Sequence, residues 1–164
     1  MPIETLSGDL LDQPIEAIVN AWNRNLIPWW LLRPHGVSGA IKRHAGVEPF
    51  RELARYGPLA LGQAVLTGAG RLPFRAIIHV AAITLWGRSS DEIIRAAVRN
   101  ALALARDQAF ASLAFPVLGS GSGGVHEQQA LESMLAALGE QDYAGRVLIV
   151  RYRRRLRRRL WRSS

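Results

Sequence analysis

The chain has 164 residues, 49% of them apolar and 21% charged, which suits one soluble domain with a packed core and excludes a disordered chain. It contains no cysteine, so disulfide frameworks, thiolate nucleophiles and cysteine-based zinc sites are excluded. The net charge of +8 sits at one end: eight of the 21 Lys and Arg residues lie between Arg151 and Arg162, leaving 13 to balance the 13 acidic residues.

The opening MPIETLSGDLL lacks the basic start and long apolar stretch of a secretion signal, and no apolar run approaches the roughly 18 residues of a membrane span. A cytoplasmic protein with no membrane partner is the expectation. Ile15, Ala17, Ile18 and Val19 form a short β-branched run that reads as a strand. Short helices are expected from Ser38 to His44 and from Pro49 to Tyr56. Strands are expected from Gln63 to Thr67 and from Ile77 to Ala81, the latter with His79 as a satisfied core histidine.

Ser89 with Glu92 then makes a capping-box pattern ahead of Ile94, Ala97, Val98, Ala101, Leu102 and Ala105, the spacing of an amphipathic helix. A strand follows from Leu113 to Leu118, a helix carries Leu131, Met134, Leu135 and Leu138, and a last strand runs from Val147 to Val150. Strands alternating with helices imply a mainly parallel sheet covered on both faces. No repeat or linker appears, so one domain spans residues 1 to 152, followed by an Arg-rich helix or tail from 153 to 164.

Between the fourth of these strands and its helix stands FPVLGSGSGGVHE, at Phe115 to Glu127. Such a stretch is a loose linker or a backbone cradle for an anion. Its place between a strand end and a helix start favours the cradle, because bare N–H groups and the helix dipole there attract negative charge. Gly119, Gly121 and Gly124 match the dinucleotide-binding glycine spacing, but the loop does not open the domain and no acidic residue ends the next strand. A Walker-type loop also fails, for want of a Lys-Ser/Thr pair. The four histidines show no metal-ligand spacing and the acids do not cluster, so no metal site is expected.

Three separated pieces, "GDLL" at Gly8 to Leu11, "IVNAWN" at Ile18 to Asn23 with "GVSGAIKRHAG" at Gly36 to Gly46, and "FPVLGSGSGG" at Phe115 to Gly124, resemble the macrodomain family in that order. "RAIIHVAA" at Arg75 to Ala82 looks like that fold's central strand, and the resemblance covers residues 2 to 152. It implies a three-layer α/β/α sandwich around a central mixed sheet, binding ADP-ribose or an ADP-ribosylated macromolecule in a cleft at the strand ends, with no cofactor.

By position, the resemblance implies that Asp9 accepts a hydrogen bond from the adenine amino group and that Leu10 offers a neighbouring N–H. Asn23 contacts the distal ribose. Gly36, Val37 and Gly39 belong to a first phosphate loop at a helix start. Gly119, Ser120, Gly121, Ser122, Gly123, Gly124 and Val125 wrap the diphosphate, and Tyr152 stacks on adenine. Asp9 has a blander reading as a turn cap, and Asn20 one as a tie between loops.

The chain departs from the hydrolase branch of that family, which removes single ADP-ribose units from acidic side chains and carries a short segment ending G-V-D-G-A-I. Here the segment is RNLIPWWLLRPHGVSGAI, longer and with two tryptophans, and Ser38 stands where the hydrolase has Asp. A serine hydroxyl is no general base unless another group activates it. His35 is a candidate replacement base or ribose contact, or a solvated loop histidine. Asn23, His35 and Ser38 are therefore the catalytic candidates if the protein hydrolyses ADP-ribosyl bonds, and a non-catalytic reader is the alternative.

Trp29 and Trp30 read as a hydrophobic lid, a core contribution or a dimer surface, with a monomer or weak dimer expected. The tail is a nucleic-acid arm through its arginines, or a last helix that packs Tyr152, Leu156 and Leu160 as one stripe.

Overall fold

The computed structural model describes residues 1–121 and 123–153. Ser122 and the Arg-rich segment with Leu156 and Leu160 lie outside the described residues. Six strands, β1 (Ile3–Gly8), β2 (Ala17–Trp22), β3 (Ala64–Thr67), β4 (Ala76–Ala81), β5 (Ser112–Pro116) and β6 (Arg146–Tyr152), form one sheet in the order β1-β6-β5-β2-β4-β3. Every neighbouring pair is parallel except β3 with β4. The helices are α1 (Gly36–Ala45), α2 (Glu48–Ala54), α3 (Asp91–Asp107) and α4 (Glu127–Gly139).

Successive strand residues point to opposite faces, and here both faces are covered, which explains the unbroken apolar runs. Val19, Ile78, Val80, Leu113, Phe115, Val147 and Ile149 pack on one face under α3 and α4, against Ile94, Val98, Leu102 and Met134. Ile18, Trp22, Ile77, Ala114, Leu148 and Val150 pack on the other under α1 and α2, against Ile41, Phe50 and Leu53. Burying one such side chain is worth about 1.5–3 kcal/mol, so both cores hold the sheet between the two helix layers. The architecture is the expected three-layer α/β/α sandwich with a mixed sheet.

The second face carries a buried polar chain. Asn20 Nδ2 lies 3.1 Å from His79 Nδ1, and His79 Nε2 lies 2.9 Å from Thr67 Oγ1. Thr67 Oγ1 donates to the Gly68 carbonyl at 2.9 Å. The chain is consistent when His79 is neutral with its proton on Nε2. Burial pushes His79 down to about 3, so it stays uncharged at neutral pH. It is the satisfied core histidine that its apolar neighbours suggest, and Phe50 meets its ring edge-on at 5.7 Å.

Four details differ from the sequence-based expectation. β1 is a strand that no apolar run announced, because it is an edge strand paired only to β6, with only Ile3 and Leu6 of its large apolar residues turned partly inward. The cap of α3 is Ser90, whose Oγ accepts from Ile93 N at 3.3 Å, and not Ser89. Ser89 is drawn away because its N–H donates to the Gly123 carbonyl at 2.9 Å. β5 ends at Pro116 instead of Leu118, where the chain leaves the sheet to form the glycine loop. β4 is fully buried yet not central: β5 and β2 occupy the middle, and β4 has its edge paired by β3 and its two faces packed in the two cores.

Candidate functional site

A cleft of about 460 Å³ opens at the C-terminal ends of the parallel strands. Its floor is Ala21 of β2, Pro116 and Val117 at the end of β5, and Val150 and Tyr152 of β6, with Ile83 beyond β4. One wall is His35, Gly36, Val37 and Ser38, the start of α1; the other is Ser120, Gly121 and Glu127, the loop into α4. The crevice outside the strand ends is where open α/β sheets bind ligands.

The second of these walls is tightly closed on itself. Gly119 has φ +78°, and a Cβ there would sit 3.0 Å from Ile94 Cδ1 and 3.1 Å from Ser89 Cβ. At Gly123 a Cβ would lie 2.5 Å from the Gly119 carbonyl oxygen. Val125 N–H donates to that same oxygen at 3.0 Å, and Ser120 Oγ donates to the Val117 carbonyl at 3.0 Å. Glycine is thus required for conformation at Gly119 and for space at Gly123. The segment is a fixed backbone loop and not a linker.

The first wall is held differently. Gly39 presses against the Pro34 carbonyl, which a Cβ would approach to 2.3 Å, so the loop before α1 lies flat on the helix. Lys42 Nζ donates to the Trp29 carbonyl and, at 2.6 Å, to the Leu32 carbonyl. Its ammonium also lies 5.6 Å from the centre of the Trp29 ring, and desolvation lowers its pKa. Trp29 packs on the second core, whereas Trp30 is 65% exposed. The two tryptophans therefore divide between core and surface, and neither lines the cleft.

Three helices start without a side-chain cap; α2 is one of them, with Pro49 in its first turn and no residue in the cleft, and the other two begin at the cleft walls. Ser90 caps α3 with its hydroxyl, but α1 and α4 begin at His35 and His126, and neither side chain makes a capping bond. The first N–H groups of an uncapped helix carry partial positive charge and need an acceptor. Two such helix starts face one cleft. Ser38 Oγ, also at the cleft wall, is buried with no hydrogen-bond partner.

Of the residues singled out in the sequence, His35, Gly36, Val37, Ser38, Ser120, Gly121 and Tyr152 come together around the cleft. Gly119, Gly123, Gly124 and Val125 complete the loop behind Ser120 and Gly121, and Gly39 lies one step behind Ser38. Asp9 follows β1, whose last residue Gly8 pairs with Tyr152. Its Oδ1 accepts from Leu11 N at 2.9 Å, capping the turn Leu10–Asp12, and Leu10 is buried. Asn23 Oδ1 accepts from Asn25 N at 2.7 Å, an Asx-type turn at which Asn25 takes φ 60°. Neither Asp9 nor Asn23 lines the cleft wall.

Glu127 is the carboxylate in that wall, and sequence reading passed over it. An acid in the first turn of a helix is ordinary helix chemistry, so nothing in the spacing marks it. Its Oε1 accepts from Arg151 Nε at 2.5 Å, which ties α4 to β6 at the Tyr152 end of the cleft. Ser89 was likewise missed as the support beneath Gly119. Among the described residues no group of three or more His, Asp or Glu is placed to hold a metal ion, and no described helix is long and apolar enough to cross a membrane.

A family model described as Macro domain matches residues 19–134. An Aquifex aeolicus protein is 36% identical over 136 residues, 82% of this chain and 79% of its own length. An Escherichia fergusonii protein named O-acetyl-ADP-ribose deacetylase is 35% identical over 137 residues, 79% of this chain and 74% of its own. A Mycobacterium bovis relative is longer, and the chain spans 37% of its length. Among solved structures, an Oceanobacillus iheyensis macrodomain variant with ADPR superposes at a TM-score of 0.79, with 28% identity, over 93% of this chain and 86% of that one.

Proposed function

The chain belongs to the Macro domain family, and we propose that it binds ADP-ribose in the cleft at the strand ends, with the diphosphate between the two glycine-bearing walls. The carrying observation is the pair of helices without side-chain caps, α1 and α4, that begin at those walls. A diphosphate supplies the acceptors and the negative charge that both helix starts favour, with no lysine needed.

The sheet order supports a direction for the ligand. β1 and β6 stand at one end, so adenine lies beside Asp9, Leu10 and Tyr152, with the Asp9 oxygen not used by Leu11 accepting from the adenine amino group. β2 lies beyond β5 from them, with α1 following it in the chain at the cleft wall, so the distal ribose lies by Asn23, His35 and Ser38. Titration calorimetry tests this: ADP-ribose should bind more tightly than AMP, and Asp9→Ala should weaken it about tenfold, the worth of one hydrogen bond. No heat with ADP-ribose would end the reading.

A second reading, hydrolysis of an ADP-ribose ester, is favoured by His35 and Ser38 sharing one wall. The imidazole of His35 takes a proton from a water whose oxygen bonds to the ester carbonyl carbon; the ester C–O bond breaks and the ribose oxygen leaves with the proton that His35 gives back. The carboxylate of Glu127 stands toward β6, away from that end, so this chemistry rests on His35. Losing a positioned base typically costs about 10²–10⁴ in rate. If His35→Ala releases product as fast as an active parent, His35 is not the base; if the parent itself releases none, the chain is a reader.

A further inference from the structure

A second cleft, of about 420 Å³, lies beside the loop that precedes α1. Its wall carries four cations, Arg33, Lys42, Arg43 and Arg71, with the apolar faces of Leu32 and Val47, and no carboxylate. Among the described residues none of the four is in an ion pair, although Arg51, Arg75, Arg95, Arg146 and Arg151 all are. The dipole of α1 accounts for Lys42 and Arg43 in its last turn. It does not account for Arg33 and Arg71, which other segments bring to the same hollow.

Arg71 is held in place. Its N–H donates to the Ala45 carbonyl at 2.9 Å, and its guanidinium lies against Gly46, whose missing Cβ would come within 3.3 Å of Nε. The two clefts share one backbone segment: Leu32 to Pro34 borders the basic cleft, and His35 to Ser38 borders the first. Lys42 is met by the Trp29 and Leu32 carbonyls and Arg71 by the Arg43 carbonyl at 3.4 Å, but no carboxylate balances the four charges, and their summed field favours an anion in the hollow. The Trp29 ring lies under Lys42 at 5.6 Å, and Trp30, next in the chain, is exposed.

We propose that this basic cleft binds the sugar–phosphate backbone of a single-stranded nucleic acid. Resting on the ADP-ribose reading, the same strand then presents a modified nucleotide to the His35 end of the first cleft. Cations with apolar and aromatic faces between them fit a strand whose bases are unstacked, since phosphates take the arginines and bases take the flat surfaces. A duplex hides its bases, and a phosphopeptide leaves Leu32, Val47 and Trp30 unused.

The test is fluorescence anisotropy with a labelled oligodeoxythymidylate and a labelled oligouridylate, on the full chain, over a series of salt concentrations. Arg43→Ala with Arg71→Ala should weaken binding by at least about tenfold and flatten the salt slope by about 1.4, at roughly 0.7 for each lost phosphate contact. Arg33→Ala, on the exposed loop, should remove about half of that slope. Calorimetry with ADP-ribose should be unchanged in all of them, which separates this proposal from the ADP-ribose reading. Unchanged oligonucleotide affinity and slope in these variants would overturn it, as would equal displacement by an acidic phosphopeptide.

Discussion

The two sides of the sheet are built on different terms. The α3 and α4 side packs mainly apolar residues, with the buried Ser133 of α4 bonded to Asp91 of α3, and it ends in a loop where Gly119, Gly123, Ser89 and Val125 close on one another. The α1 and α2 side buries Asn20, Thr67 and His79, anchors a long loop through Lys42, and ends in a helix start that leaves Ser38 Oγ without a partner. One side fixes its glycine loop by steric closure. The other holds its backbone by polar bonds that side-chain chemistry can alter, and there the residues nearest the reacting end depart from the hydrolase pattern.

The sharpest way to break this contrast is Gly123→Val. A Cβ 2.5 Å from the Gly119 carbonyl forces the cradle open; overpacking of this kind costs about 1–3 kcal/mol, and ADP-ribose affinity should fall by up to about two decades. Retained affinity would mean that the closed loop does not hold the ligand.

The next effect belongs to the polar side. His79 has a folded pKa of about 3, far below its unfolded value of 6.5, so the unfolded chain binds the extra proton. Stability is therefore fully present above pH 6.5 and is lost as pH falls from there toward 3, at about 1.4 kcal/mol per unit. Denaturant melts between pH 6.5 and 5 should show this slope in the parent and lose it in His79→Gln.

Lys42→Met should cost about 1–2 kcal/mol in the same melts, because the Trp29 and Leu32 carbonyls lose their shared donor. Smallest is Ser38→Ala: its hydroxyl has no partner, so stability should stay within about 0.5 kcal/mol of the parent. Ser38→Asp sharpens the comparison further. A faster release of ADP-ribose from an esterified substrate in that variant would show that the polar side lacks only a carboxylate.

Most of this was legible in the residues. Interior strands buried on two faces write themselves as apolar runs, and α3 and α4 as stripes at helical spacing. β1 was not legible as a strand, since an edge strand with only Ile3 and Leu6 facing inward leaves almost no pattern. The glycine cradle could be placed by its position between strand and helix. What could not be read were contacts across the chain: Ser89 drawn under Gly119, Lys42 reaching back to Trp29, and Glu127 tied to Arg151. Each depends on a tertiary neighbour and follows from no local spacing. Ser122 and the arginines from Arg154 onward remain matters of sequence.

The most direct measurement is a titration of labelled protein with ADP-ribose followed by backbone amide resonances. The account expects the largest shifts at Gly36 to Gly39, at Gly119 to Val125 and at the first residues of α4, saturating together. Saturable shifts confined to the Arg33, Arg43 and Arg71 cleft, or no shifts at either glycine-bearing wall, would contradict it.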